Sequence, residues 1–201
     1  MSLVSFRTPS DRFVIIFLAF TLFFPLSQVN AQDHMVVNGA FEDDSLTSKI
    51  GFFRGNIPAE DFYNYYKNAP NTGLEKQKGC VLIPYKSPGG KLNLIILLGD
   101  PGAPYGGRAR LTIKGLKPNS GVSLFDDKAG EDQDDDYSLG QTTGIFRWSW
   151  SPMGADGAII TNLPRNMDLS LSFGMTENLK SLHIVTGNLN STKQLRLNPK
   201  R

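Results

Sequence analysis

Residues 126–137, DDKAGEDQDDDY, hold seven carboxylates and a single base, Lys128. Carboxylates gathered this densely suit one chemistry above others, the coordination of a hard cation. Ca²⁺ takes roughly six to eight oxygens from carboxylates, carbonyls and water, and a loop can supply them. Asp132, Asp134 and Asp136 alternate, and Asp126 and Asp127 stand at the start of the run. These residues, with Asp127 included, are the candidate ligands, and Ca²⁺ is the expected ion. The spacing is not that of an EF-hand. The glycine needed at the sixth loop position would be Tyr137, and the bidentate glutamate at the twelfth would be Thr143. A second reading stands beside the ion site: a solvated loop held open by its own repulsion.

Aromatic side chains offer a different chemistry, stacking on sugar rings. Tyr63, Tyr65, Tyr66 and Tyr105 lie in irregular segments and carry a polar tip, which makes them the candidate sugar platform. Phe146, Trp148 and Trp150 alternate with Arg147 and Ser149, so their shared face reads as core. Signals for catalysis are thin. H-E-x-x-H, C-x-x-C and G-x-S-x-G are absent, and no catalytic residue is assigned. Cys80 and His183 could pair only in the sense that both exist. GDPGAPYGG (99–107) lacks both the P-loop and the G-x-G-x-x-G spacing and precedes a strand pattern, so it reads as a connection.

The elements that must position these groups follow an address. Arg7 and Arg12 precede the apolar run Phe13–Leu26, and Val29 and Ala31 occupy the small-residue positions of a cleavage site. Residues 1–31 therefore read as a secretory signal peptide, with the mature chain starting near Gln32. The expected location is extracellular, or periplasmic in a bacterial host. An uncleaved anchor is the alternative. No second apolar run is long enough to span a bilayer. Cys80, the sole cysteine, sits in the apolar run GCVLIPY and reads as a small buried hydrophobe.

Charge is unevenly spread. Without residues 126–137 the chain has 21 − 1 = 20 Lys and Arg against 19 − 7 = 12 Asp and Glu, a net of +8. The bases are scattered, apart from KQLRLNPKR at the C-terminus, which lacks interleaved aromatics. It reads as a basic solvated tail over about 190–201, with no nucleic-acid partner.

Residues 32–201 read as one domain. Pro58, Glu60 and Asp61 open a helix expected over 58–68, and Pro70 stops it. Strands are expected at 80–86, 92–98, 108–114, 121–125, 144–150, 158–161, 168–173 and 181–186, with SPGG, KPNSG, MGADG and LPRN as turns. RARLTIKG and DLSLSFG alternate cleanly, whereas LNLIILLG is apolar throughout. Many short strands without alternating helices predict a mostly β fold, an antiparallel, jelly-roll-like β-sandwich with one short helix.

VVNGAFEDD resembles the opening of galactose-binding-like jelly-roll modules, which include several families of carbohydrate-binding modules. The segment is Asn38, Gly39, Ala40, Phe41 and Glu42, and GFF (51–53) replaces the glycine-tryptophan that commonly follows. The resemblance implies a sandwich fold and a sugar ligand, and it adds Glu42 as a ligand of a structural Ca²⁺. The expected function is a secreted, non-catalytic binding module for carbohydrate or an extracellular-matrix component, dependent on Ca²⁺. A structural or interaction protein of the cell surface or matrix is the alternative, and a secreted hydrolase the second.

Overall fold

The structure is a computed structural model and describes residues 33–41, 44–66, 69–126, 135–188 and 191–197. Within them the chain forms a two-sheet β-sandwich with one short helix. The elements in chain order are β1 (His34–Phe41), β2 (Asp44–Gly51), β3 (Phe53–Arg54), α1 (Ala59–Tyr63), β4 (Gly79–Lys86), β5 (Leu92–Gly99), β6 (Gly107–Lys114), β7 (Gly121–Phe125), β8 (Asp136–Leu139), β9 (Thr143–Trp150), β10 (Ala155–Thr161), β11 (Met167–Glu177), β12 (Ser181–Asn188) and β13 (Ser191–Leu197). One sheet has the order β2-β1-β11-β6-β9-β8, the other β13-β12-β3-β4-β5-β10-β7. Both therefore end on the strands that flank the acidic stretch, β7 and β8.

Alternation explains the six-stranded sheet. In β6, Ala109, Leu111 and Ile113 are buried, while Arg108 and Lys114 are exposed. In β9, Phe146, Trp148 and Trp150 are buried and Arg147 faces solvent, as a period of two requires. Leu169 and Leu171 of β11 join them. Against this face pack Leu82, Leu94, Ile96 and Ile160 of the seven-stranded sheet, giving the inter-sheet core. Cys80 is buried in the same core, where desolvation pushes its thiol far above the ordinary range.

The seven-stranded sheet is dry on its other face as well. Val81, Ile83, Ile95, Leu97 and Ile159 form a second core with Ala59 and Tyr63 of α1, joined by Phe53 and Tyr85. This is why LNLIILLG is apolar throughout: every residue of β5 is buried. The same pleat separates Cys80 from His183. Cys80 stands in register with Leu182, and His183 with Val81, so the two side chains leave the sheet on opposite faces. His183 Nε2 lies 2.9 Å from Ser181 Oγ.

All eight expected strands form, and the differences lie around them. The helix expected over 58–68 is one short turn, Ala59–Tyr63. Asn64 takes the left-handed conformation (φ 50°, ψ 55°) and donates its N–H to the Glu60 carbonyl, closing the helix well before Pro70. The C-terminal segment expected as a solvated tail contributes β13, paired with β12 from Leu182↔Leu197 to Asn188↔Ser191. Four pairings are parallel, β1–β11, β3–β4, β3–β12 and β4–β12, and the others are antiparallel, so each sheet is mixed within a mostly antiparallel sandwich. The expected signal peptide, residues 1–31, lies outside the described residues. No helix among the described residues is long and apolar enough to cross a membrane.

Candidate functional site

Where β7 and β8 leave the sandwich, three carboxyl groups are buried together. Asp126 follows β7 directly, and its N–H donates to the Gly157 carbonyl at 3.1 Å. Asp135 precedes β8, and its Oδ1 accepts from the Ser149 N–H at 2.6 Å. Asp156 is the second residue of β10, and its Oδ1 accepts from the Gly157 N–H at 2.7 Å. Their exposures are 0 %, 3 % and 0 %, so water solvates none of them appreciably. Tyr63, at the end of α1, donates its hydroxyl to Asp126 Oδ2 at 3.0 Å.

Burial beside like charges favours the protonated form of a carboxyl group. Desolvation first, then the neighbouring charge of Asp135 and a carboxyl–carboxyl hydrogen bond with it, and then Asp126, raise Asp156 well above the usual carboxylate range. Tyr63 is raised as well, by desolvation first and then by Asp126 and Asp156. It therefore stays neutral and acts as a donor. Gly157 is required where these groups meet. A Cβ there would collide with the Ile96 carbonyl oxygen and lie 2.6 Å from the Tyr63 hydroxyl. The Gly157 carbonyl also accepts from Trp148 Nε1 at 3.2 Å, tying the cluster to the inter-sheet core.

Outside this cluster lies a groove of about 720 Å³, lined by Tyr65, by Val122–Phe125 of β7 and by Asp135–Tyr137 at β8. A run of rings leads into it from the core. Trp148 stacks on Phe146 (centroids 5.6 Å apart, planes at 11°), and Phe146 stacks on Tyr137 (6.1 Å, 16°). Phe125 crosses from β7 to meet Tyr137 at 4.8 Å. Tyr137 is 42 % exposed and Tyr65 43 %. Each presents a ring to solvent, and Tyr137 rests against the buried Phe146 and the partly buried Phe125. An exposed aromatic face backed by buried rings can pack against the apolar side of a ligand.

The sequence-derived candidates divide on this frame. Of the four tyrosines, only Tyr65 lines the groove. Tyr63 is wholly buried, and its hydroxyl is engaged with Asp126, so it offers no ring to a sugar. Tyr66 is exposed but is not a groove-lining residue. Tyr105 lies in the β5–β6 connection with Lys78 Nζ 3.7 Å from its ring centroid. Of the metal candidates, Asp127, Asp132, Asp134 and Glu42 lie outside the described residues. Asp126 accepts from Tyr63, and Asp136 pairs with Arg147 Nη1 at 2.8 Å. Among the described residues no three His, Cys, Asp or Glu side chains form a metal-holding group.

Asp156 and Tyr137 escape the sequence reading, and Asp135 stands in it only as one of the seven carboxylates of the acidic stretch. Asp156-Gly157 carries the signature of a turn, yet both residues pair with β5, Asp156 opposite Leu98. Tyr137 offered a signal that could have found it. Read as a strand, DYSL puts Tyr137 opposite Phe146 and on its face. Comparison with protein-family models, with curated proteins and with solved structures returns no match.

Proposed function

We propose that the protein is a secreted, non-catalytic binding module whose ligand is a carbohydrate, taken up in the groove between β7 and β8. The observation that carries this reading is Tyr137, a solvent-facing ring packed against Phe146 and Phe125 and followed along the groove by Tyr65. Two exposed rings in one open cleft match the apolar ring faces of a saccharide. Ca²⁺ belongs to the same reading. Two carboxylates of the acidic stretch, Asp126 and Asp135, are buried beside Asp156, so negative charge is concentrated there. A divalent ion bound by the stretch would relieve their repulsion.

The test is a glycan array probed with the secreted protein, with millimolar Ca²⁺ and with chelator. The expected result is retention on a defined class of saccharide that weakens in chelator and is lost in Tyr137→Ala. Release of shortened saccharide from the array would replace this reading with a hydrolase. Intact mass of the secreted material should place its first residue near Gln32, and retention of residues 13–31 would overturn the secretory part.

A further inference from the structure

The outer face of the six-stranded sheet carries an unbalanced charge pattern that the groove does not use. Across four neighbouring strands, Asp136, Arg147, Arg110 and Gly174 stand in one row. Arg110 and Arg147 are thus directly opposed, and like charges at that position in an antiparallel pair destabilise it. One carboxylate, Asp136, serves the two guanidiniums and binds only Arg147. At the other end of the row, where an acid could have answered Arg110, Gly174 leaves open space. The Arg110 Nε is sealed from solvent and meets no acceptor among the described residues.

The pattern extends along β6, where every second residue shares this face: Arg108, Arg110, Thr112 and Lys114. Successive members of the series are separated by about 6.6 Å. Glu177 stands in register with Arg108 but forms no ion pair with it. The flank on β11 is Ser170 and Ser172, both exposed hydroxyls. The result is a row of cations along β6, bordered by Ser170 and Ser172 on β11 and by Thr143, Ile145, Arg147 and Ser149 on β9.

We propose that this face binds an acidic polysaccharide, one whose carboxylate or sulfate groups repeat along the chain and pair with Arg108, Arg110 and Lys114. Charge complementarity selects an anion, and the repeat along β6 selects a polymer. The outward residues of β6 and those in register with them on β9 and β11 (Thr143, Ile145, Arg147, Ser149, Ser170, Ser172 and Gly174) include no ring, which disfavours a single-stranded nucleic acid held by base stacking. The hydroxyls of Thr112, Ser170 and Ser172 suit the hydroxyls of a sugar chain. The proposal stands on a surface distinct from the groove and does not depend on the groove's ligand.

The experiment measures binding of the secreted protein to dextran sulfate and to polygalacturonate, with neutral dextran and duplex DNA for comparison, at low and at high salt. Binding to at least one acidic polysaccharide is expected at low salt, falling as salt screens the charges. Arg110→Gln should weaken it by about tenfold or more, and Arg110→Lys should recover most of it. Lys91→Gln, which removes the same charge beside the other sheet, and Tyr137→Ala in the groove should leave it unchanged. Melting curves show that each variant is folded. No binding at low salt overturns the proposal. So do equal losses in Arg110→Gln and Lys91→Gln, equal binding to neutral dextran, tighter binding to DNA, or loss in Tyr137→Ala.

Discussion

The two sheets of the sandwich differ in how many of their faces are dry. β4, β5 and β10 of the seven-stranded sheet are buried almost throughout, inward against the other sheet and outward beneath α1 and its neighbours. In the six-stranded sheet, β6 and β9 bury every second residue and give the alternate ones to water. A strand apolar at every position needs cover on both sides, and the chain spends residues 53–78 supplying much of it. A strand that alternates needs cover on one side only, which frees the other for ligands. The groove lies where the twice-covered sheet and the once-covered sheet end side by side, at β7 and β8.

Substitutions across this divide should have very unequal effects. Trp148→Ala removes the largest wholly buried side chain and its hydrogen bond to Gly157. It should cost about 3–5 kcal/mol in denaturant unfolding and leave the buried Trp150 as the sole tryptophan emitter. A cost near zero would mean that the inter-sheet core is not packed as described. Ca²⁺ should raise the stability of the same protein by about 1.4 kcal/mol at ten times its dissociation constant, and by more than Mg²⁺ does at matched ionic strength. Asp132→Asn with Asp134→Asn should remove the difference. Equal shifts for both ions and for monovalent salt would leave the acidic stretch as a charge-screening loop.

The buried carboxyl cluster predicts an effect opposite in sign to that of Trp148→Ala and dependent on pH. Asp156 is raised in the folded state, so the fold holds a proton that the unfolded chain releases at about pH 3.9. Its contribution is therefore complete at low pH and declines as pH rises from that value through the folded one. Asp156→Asn offers Asp135 an amide donor in place of the proton. Its melting temperature should match wild type near pH 4 and exceed it above neutrality. A lower melting temperature at every pH would show that the carboxyl group stabilises by another route. The smallest effect belongs to the open face of the six-stranded sheet. Thr112→Ala there should change stability by less than about 0.5 kcal/mol, and a larger loss would mean that this face is covered.

Much of this architecture is readable in the sequence because it rests on local pattern. The alternation in RARLTIKG and GIFRWSW names their buried faces, and the unbroken LNLIILLG marks a strand covered twice. What the pattern hides is set by distant partners. Nothing local shows that β1 pairs in parallel with β11, or that the basic C-terminal segment supplies a strand. The site follows the same division. Asp126 and Tyr65 are visible as an acid and an aromatic, but the partnership of Tyr63 with Asp126 spans 63 positions. Asp156 escapes because Asp-Gly reads as a turn, and the turn is in fact narrower, built around Met153 at φ 71°. Tyr137 escapes because acidic neighbours make its segment look like loop.

The measurement closest to the central claim is a titration of the saccharide selected on the array against wild type and Tyr137→Ala, with the melting temperature of each recorded in parallel. Tyr137 is the exposed end of a stacked run, so its removal should cost only about 1 kcal/mol of stability. Binding should weaken by about tenfold or more. Unchanged affinity in a folded Tyr137→Ala protein would contradict the assignment of the groove as the ligand site.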